Sequence, residues 1–235
     1  PPCFKINGDF FKKVPKKSCD LIAPYSFSMS RYNKNNGRRN IFIPEIGSYS
    51  VVGEFIKEKK ILKDLIEFTE NNEKSFSPIL GKNDTLIRHE QSYDDFVLDN
   101  EDRISDYVDN IAKKIIRAAG AKKVLKLDIS NCFSSFYTHM IPVILLGLDK
   151  AEENYIKWNQ MDSQIDFQMD SQIDEQYRVY SELDKVVRKQ NLNRTNGLLV
   201  GPIFSKIIME AFLTRIDKEL DENNIKFSRY VDDYE

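Results

Sequence analysis

Two apolar segments that each lead to aspartate constrain the fold of this chain more than any other feature. In KVLKLDIS (123–130) apolar and polar residues alternate, as in a β-strand, and Asp128 lies on the polar side. KFSRYV (226–231) is predicted to be a second strand, and Asp232 and Asp233 follow it where a hairpin turn belongs. If the two strands are neighbours in one sheet, three carboxylates converge.

Carboxylates held together on a rigid sheet repel one another unless a cation binds between them. Mg²⁺ prefers oxygen ligands, commonly one or two carboxylates completed by phosphate and water. Two such ions, about 3.5–4 Å apart, neutralise the charge that develops in nucleotidyl transfer and hold the attacking and leaving oxygens in line. The sequence therefore predicts a cation site at these aspartates.

Composition excludes several other classes of protein. The chain has 235 residues and a net charge of −2, and its longest apolar run is too short to cross a bilayer. Three cysteines without a CxxC spacing and two distant histidines argue against a disulfide framework or a zinc site, which makes the cytosol the default. Charge is uneven: residues 1–60 carry 12 Lys and Arg against 5 Asp and Glu, whereas residues 149–184 carry 3 against 10. An anionic partner would meet the first of these stretches.

The remaining elements are predicted from periodicity and turn residues. We expect a short strand within 30–45, helices over 49–70 and 104–118, a helix that Ser130 or Asn131 caps, and a helix from Pro202 to about Leu220.

Residues 149–190 are polar and acidic, and they contain the segment QMDSQID twice, at 160–166 and 168–174. A repeat this short does not form a solenoid. We interpret the region as a surface insertion created by local duplication.

Four motifs, in the order of the family, resemble those of reverse transcriptases. YVDD (230–233) resembles the Y-x-D-D signature, and LKLDISNCFSSFYTH (125–139) is similar to the first carboxylate motif, with an aromatic five residues after its aspartate. TNGLLVGPIFSKII (195–208) resembles the glycine motif and its helix, and KNNGRRNIFIP (34–44) is similar to the fingers motif. SNCFSSFYTHMIP, the Gly-x-x-x-Gly-Pro spacing and SRYVDD are most similar to the bacterial abortive-infection and phage-defence reverse transcriptases.

The resemblance implies an α+β right-hand polymerase with an antiparallel palm sheet packed on helices. The fingers would cover residues 1–122, with a basic N-terminal part, and the palm residues 123–235, with the acidic insertion at about 149–190. Relatives continue beyond the YVDD turn, so we expect an incomplete palm that lacks the second strand of its hairpin. The 235-residue segment alone is therefore expected to be inactive.

The implied function is a cytoplasmic bacterial DNA polymerase that adds dNTPs in anti-phage defence. The resemblance further implies synthesis without a template, priming on protein and a homo-oligomer, with DNA as product, RNA as a candidate template and no membrane association. A templated retroelement enzyme and a catalytically silent scaffold remain as alternatives. An RNA-dependent RNA polymerase is disfavoured by Phe133, where such enzymes usually carry a polar residue.

The resemblance also implies roles for individual residues. Two Mg²⁺ ions, which Mn²⁺ could replace, would be held by three carboxylates and a backbone carbonyl, with the first two aspartates doing most of the binding: Asp128, Asp232, Asp233 and the carbonyl of Ile129. The nucleotide would contact a steric gate, basic residues of the fingers and the glycine motif, in which Asn replaces the usual Gln: Phe133, Arg39, Lys34, Arg38, Asn196, Gly197 and Gly201. His139 is interpreted as structural, and Cys132 and Trp158 are given no role.

Overall fold

The computed structural model describes residues 22–30, 38–80, 100–161 and 173–235, with helices and small antiparallel sheets. This mixture confirms the α+β class predicted from the sequence. Lys34 and most of the QMDSQID duplication lie outside the described residues, as do residues 1–21 of the basic N-terminal part.

The strands form two sheets. A two-stranded antiparallel sheet contains β1 (Tyr25–Ser30) and β2 (Arg38–Ile43). A three-stranded antiparallel sheet has the order β3-β5-β4, and its strands are β3 (Leu127–Asp128), β4 (Arg229–Tyr230) and β5 (Asp233–Tyr234). The sequence did not predict β1, although YSFSMS alternates in polarity.

The described residues contain eight α-helices and one short 3₁₀ turn at Thr138–Met140. In chain order the helices are α1 (Ile46–Glu58), α2 (Ile61–Thr69), α3 (Asn100–Ala118), α4 (Cys132–Ser135), α5 (Val143–Leu146), α6 (Leu148–Met161), α7 (Glu175–Lys189) and α8 (Ile203–Glu222).

The chain divides into two compact units that do not follow the predicted boundary at residue 122. The first unit comprises the chain up to Leu65 together with Asn131–Phe212, and the second comprises Ile66–Ser130 together with Leu213–Glu235. Both units therefore combine segments that are distant in sequence. The aspartates of interest all belong to the second unit.

The helix predicted over 49–70 is in fact two helices. The Glu45 side chain caps α1 by accepting hydrogen bonds from the backbone N–H groups of Gly47 and Ser48 at 2.8 and 2.7 Å. Lys60 has a φ of 56°, which ends the helical path between α1 and α2. The polar run KEKK offers no apolar side chain that would hold a continuous helix against the core at this point.

The acidic region 149–190 is not simply a surface insertion, because α7 belongs to the core of the first unit. Tyr180 and Leu183 are only 1% and 0% exposed, and Tyr177 and Val187 are also buried. Asp174 begins the helix by accepting a hydrogen bond from the backbone N–H of Gln176 at 2.8 Å. The buried positions recur at spacings of three and four, so the high charge of the segment concealed one apolar helix face.

The strand predicted over 123–130 is also shorter than expected. Only Leu127 and Asp128 pair with β5, since β5 itself has two residues. Leu125 and Leu127 are 70% and 55% exposed. Alternation therefore identified the position of the strand, but not its length, which depends on its partner.

No helix within the described ranges combines the length and apolar character needed to cross a membrane.

Candidate active site

The three-stranded sheet of the second unit brings two of the predicted aspartates face to face. Asp128 on β3 lies directly opposite Asp233 on β5, and Tyr230 on β4 lies opposite Asp233 on its other side. Residues directly opposite each other in antiparallel strands project from the same face, with Cβ atoms about 4.5–5.5 Å apart. Both aspartates are exposed. Asp128, Asp233 and Tyr230 therefore share one accessible face of the sheet.

Asp232 lies in the turn that joins β4 to β5. Its carbonyl accepts a hydrogen bond from the backbone N–H of Ile129 at 3.1 Å, which extends the contact between β3 and the turn. The register thus pairs Asp128 with Asp233, whereas the resemblance gives Asp128 and Asp232 the main role. Ile129, whose carbonyl was predicted as a ligand, follows β3 and is half-buried.

The hairpin strand that we expected to be missing is present as β5. Beyond it, Ser228 and Glu235 exchange backbone hydrogen bonds of 2.8 and 2.9 Å. The turn itself contains a conformation that is unusual for a β-branched residue, because Val231 has a φ of 56°. Left-handed backbone at a residue other than glycine is retained only when the surrounding structure fixes it.

The hydrogen bonds around Val231 supply that constraint. Its backbone N–H donates to the hydroxyl of Ser77 at 3.1 Å, and its carbonyl accepts from the Nη1 atom of Arg229 at 2.9 Å. Arg229 is itself held by backbone hydrogen bonds to Lys74 and Phe76, at 2.9 and 2.8 Å. Residues 74–77 and the Arg229 side chain therefore hold the turn in this shape.

Arg229 and Asp217 form the buried base of the hairpin. The Nε and Nη2 atoms of Arg229 lie 2.8 and 2.7 Å from Asp217 Oδ2, and both side chains are at most 1% exposed. Asp217 also accepts hydrogen bonds from the hydroxyl of Tyr234, at 3.0 Å, and from Asn72 Nδ2, at 2.6 Å. A buried ion pair needs such additional partners to offset the cost of removing two charges from water.

Sequence reasoning missed this pair, although both residues left a signal. Arg229 interrupts the predicted strand 226–231, and Asp217 follows Thr214 by three residues on the buried face of α8. Thr214 and Asp217 are polar residues at helical spacing on a buried face, and such a pair indicates a buried polar cluster. The sequence does not say which residues complete it.

A second charged cluster lies near the end of the hairpin. Lys114 and Lys126 contact the carboxylate of Glu235 at 2.7 and 2.9 Å. Hydrogen bonds lower the pKa of Glu235 to about 2, and the one from Lys114 has a larger effect than the one from Lys126. The same contact raises the pKa of Lys126. Glu235 thus stays ionised at neutral pH and links α3 to the residues before β3.

The fit to Mg²⁺ rests on the two facing carboxylates. Among the described residues, no three acidic, histidine or cysteine side chains already form the arrangement of a preformed metal cage. Mg²⁺ does not require one, because it is commonly held by one or two carboxylates and completed by phosphate and water. Asp128 and Asp233, with Asp232 adjacent in the chain, provide that minimum and no more.

The predicted nucleotide contacts lie in the first unit. The backbone of the glycine motif pairs with the segment around Phe133: Leu198 donates to the carbonyl of Phe133 at 2.7 Å, and Gly197 donates to that of Phe136 at 2.8 Å. Phe42 of β2 donates to the carbonyl of Val200 at 2.8 Å. Three motifs that are separate in sequence are therefore in direct backbone contact.

The two predicted glycines are explained by contacts within the protein. Gly201 has a φ of 131°, and a Cβ atom there would lie 2.7 Å from the carbonyl oxygen of Phe42. Gly197 has a φ of 92°, and its Cβ would lie 2.9 Å from the carbonyl oxygen of Ser134. Both positions require glycine because backbone segments approach closely.

The other predicted nucleotide contacts that the structure describes are exposed, except for Phe133. Arg38 and Arg39 are exposed on β2, where consecutive side chains project from opposite faces, so the structure does not place them as a pair. Asn196 is exposed and forms an isolated bridge with Tyr137. Phe133 is half-buried at the start of α4.

No protein-family model matches this sequence, and no curated protein matches it.

Proposed function

We propose that this chain is the fingers and palm part of a right-hand DNA polymerase of reverse-transcriptase type, which adds deoxynucleotides by metal-dependent nucleotidyl transfer. The observation that supports this proposal best is the register that puts Asp128 opposite Asp233, with Asp232 in the adjoining turn. Like charges directly opposite each other in a sheet are destabilising, so a sheet that keeps them exposed on one face is suited to a cation.

Divalent ions bound at these carboxylates would neutralise the phosphate charge that develops during transfer. The contribution of the chain is to hold the carboxylates in place. Hydrogen bonds with Ser77, Arg229 and Ile129 hold the hairpin turn in one backbone conformation. A rigid arrangement is needed because nucleotidyl transfer depends on position and charge more than on covalent participation by the protein.

In this proposal Phe133 excludes a ribose 2′-hydroxyl and Arg39 binds the triphosphate, with Lys34 or Arg38 assisting. A guanidinium presents a planar set of donors that matches phosphate oxygens. Asn196, Gly197 and Gly201 would lie beside the nucleotide or the growing strand. These assignments follow the resemblance of the motifs, and the exposure of Arg38, Arg39 and Asn196 is compatible with them.

The biological setting that we propose is anti-phage abortive infection in the bacterial cytoplasm, by an oligomer that extends a protein primer without a template. The support is the resemblance of SNCFSSFYTHMIP and SRYVDD to that group of enzymes. A templated retroelement enzyme would share the aspartates and the hairpin, and it differs in whether added RNA dictates the product.

The test is incorporation of labelled dNTPs, and separately rNTPs, by the full-length protein with Mg²⁺, with and without an RNA template. Asp232→Asn is the inactive variant, and Asp221→Asn, which changes an exposed aspartate outside the sheet, is the matched control. Products are resolved before and after protease treatment.

Template-free dNTP incorporation that is lost in Asp232→Asn and migrates with protein until digestion supports the whole proposal. Template-dependent, protein-free product retains the polymerase but replaces defence synthesis with conventional reverse transcription. If neither Mg²⁺ nor Mn²⁺ supports incorporation of any nucleotide, with or without template, the polymerase proposal is wrong.

A further inference from the structure

A cavity of about 610 Å³ in the first unit has the size of a small-molecule site. It is lined by α6, by α7 and by residues around the turn at Thr138–Met140. We call it the Trp158 pocket and define it by the side chains that carry the argument: Tyr137, His139, Tyr155, Trp158, Tyr177 and Asp184.

The wall of the Trp158 pocket is unusually rich in flat rings. Tyr137 and His139 meet edge to face with ring centroids 4.8 Å apart, and Trp158 and Tyr177 lie 6.3 Å apart. Tyr137 and Tyr155 are 47% and 58% exposed. Large aromatic side chains that remain accessible around a concavity favour a planar guest that can stack on them.

A polar group lies in the same lining. Asp184, which is 4% exposed, contacts His139 Nδ1 through Oδ2 at 2.7 Å. Its Oδ1 lies 3.2 Å from Arg188 Nε, but the two atoms do not meet in hydrogen-bonding geometry. Within the described part of the chain neither atom completes a hydrogen bond. Asp184 and Arg188 therefore form a buried ion pair whose facing atoms lack ideal hydrogen bonds, which places a strong dipole beneath the wall of the pocket.

The charges of the pocket disfavour a cationic guest. Lys185 Nζ already lies 5.5 Å from the centre of the Trp158 ring, and Arg188 neutralises Asp184. A quaternary ammonium or a methylated lysine would be repelled by Lys185 and Arg188, whereas the aromatic cages that bind such ligands contain no competing cation. The guest that matches is flat, is not cationic, and has a hydrogen-bond donor next to an acceptor on one edge.

We propose that the Trp158 pocket binds the base of a nucleoside or nucleotide. The base stacks on Tyr155 beside Trp158, and its polar edge, which carries an N–H next to a carbonyl or ring nitrogen, faces the Asp184–Arg188 ion pair. Nothing in this recognition uses a metal ion or the aspartates of the three-stranded sheet. The inference therefore stands independently of the proposed polymerase activity.

Trp158 is the only tryptophan in the chain, so its fluorescence reports on this pocket alone. The 235-residue chain is titrated with adenosine, guanosine, cytidine and uridine in EDTA, with excitation at the red edge of the indole band. Isothermal calorimetry is run on the same solutions. Ribose 5-phosphate, which has the sugar and phosphate without the base, is the ligand control.

We expect a saturable change in Trp158 fluorescence with at least one nucleoside and none with ribose 5-phosphate. Tyr155→Ala should weaken binding about tenfold or more, because a stacking partner is lost. Tyr25→Ala removes an equally accessible tyrosine of β1 and should leave the affinity unchanged. The proposal is overturned by equal binding of ribose 5-phosphate, by wild-type affinity in Tyr155→Ala, or by absence of both a fluorescence change and heat with all four nucleosides.

Discussion

Arg229 lies beneath the β4–β5 turn in a fully buried ion pair with Asp217, with Nη2 and Oδ2 2.7 Å apart. The same guanidinium donates to the carbonyl of Val231 at 2.9 Å, so one side chain connects the C-terminal half of α8 to the turn that holds Asp232. Because the Arg229 side chain both neutralises a buried carboxylate and orients the backbone of the turn, any replacement loses at least one of these two interactions.

Arg229→Met should lower the free energy of unfolding by about 3–5 kcal/mol, because Asp217 would remain buried without its cation. Urea denaturation of both proteins measures this difference. Lys74→Gln removes the exposed Lys74–Asp221 pair, which is also short at 2.6 Å, and should cost less than about 1 kcal/mol. Equal losses in the two variants would contradict the central role of the buried pair.

Asp128→Asn should affect stability in opposite directions without and with Mg²⁺. In EDTA the variant should be more stable by a few tenths of a kcal/mol up to about 1, since a repulsion across β3 and β5 is removed. Added Mg²⁺ should raise the melting temperature of the wild type but not that of the variant, as expected for a ligand of the folded state. Thermal denaturation with Asp149→Asn, an exposed aspartate of α6, as control tests both points. A Mg²⁺ response that survives in Asp128→Asn would remove this residue from the cation site.

Phe133→Ala should allow ribonucleotides to be incorporated, because the ring proposed to exclude a 2′-hydroxyl is absent. Phe133→Tyr keeps the bulk of the ring and should keep the discrimination. The measurement is the ratio of kcat/KM for dNTP and rNTP in the three proteins. If the ratio is the same in Phe133→Ala and the wild type, the half-buried ring is only a packing residue.

Gly201→Ala should destabilise the first unit more than Gly147→Ala does. Both glycines have positive φ, at 131° and 80°, so both variants carry the backbone penalty. Only at residue 201 would the new Cβ lie 2.7 Å from a backbone oxygen, that of Phe42, whereas nothing lies within 4 Å at residue 147. We expect an additional loss of at least about 1 kcal/mol in urea denaturation. Similar midpoints for the two alanine variants would show that β2 and the glycine motif can separate without cost.

Glu235→Gln should change how stability depends on acidity. The folded-state pKa of Glu235 is lowered to about 2 from an ordinary value of 4.5. Its contribution is therefore present above pH 4.5 and is lost as the pH falls from 4.5 towards 2. Urea midpoints over this range should fall more steeply in the wild type than in the variant, and high salt should reduce the difference, because Lys126 is exposed. Parallel curves would mean that Lys114 and Lys126 do not hold the carboxylate in solution.

The sequence was informative where a structural element depends on its own residues. Alternating polarity located β3. Apolar periodicity over 104–118, followed by Gly120, predicted the end of a helix, and α3 does end at Ala118. Both aspartates were predicted to lie in the hairpin turn that follows the strand 226–231, and this is correct for Asp232, whereas Asp233 begins β5. The turn is one residue earlier than expected, at Val231 and Asp232, so that Asp233 rather than Asp232 faces Asp128.

The sequence was less informative where an element depends on a distant partner. The length of β3 is limited by β5, about a hundred residues later, and the burial of α7 depends on its packing against α1. The pairing of Arg229 with Asp217 could not be read from either segment, because each residue alone is typical of a solvated surface. Contacts set by tertiary structure override local patterns in all three cases.

The hydrogen bond from Val231 to Ser77 joins residues 154 positions apart. Contacts of such large sequence separation carry a loop-closure cost before they stabilise anything, and proteins that are rich in them fold slowly. The motif YVDD (230–233) consists of four consecutive residues, yet its conformation depends on contacts with residues that are distant in sequence. Its geometry depends on residues 74–77, so a chain in which this segment is displaced would retain its aspartates but lose their alignment.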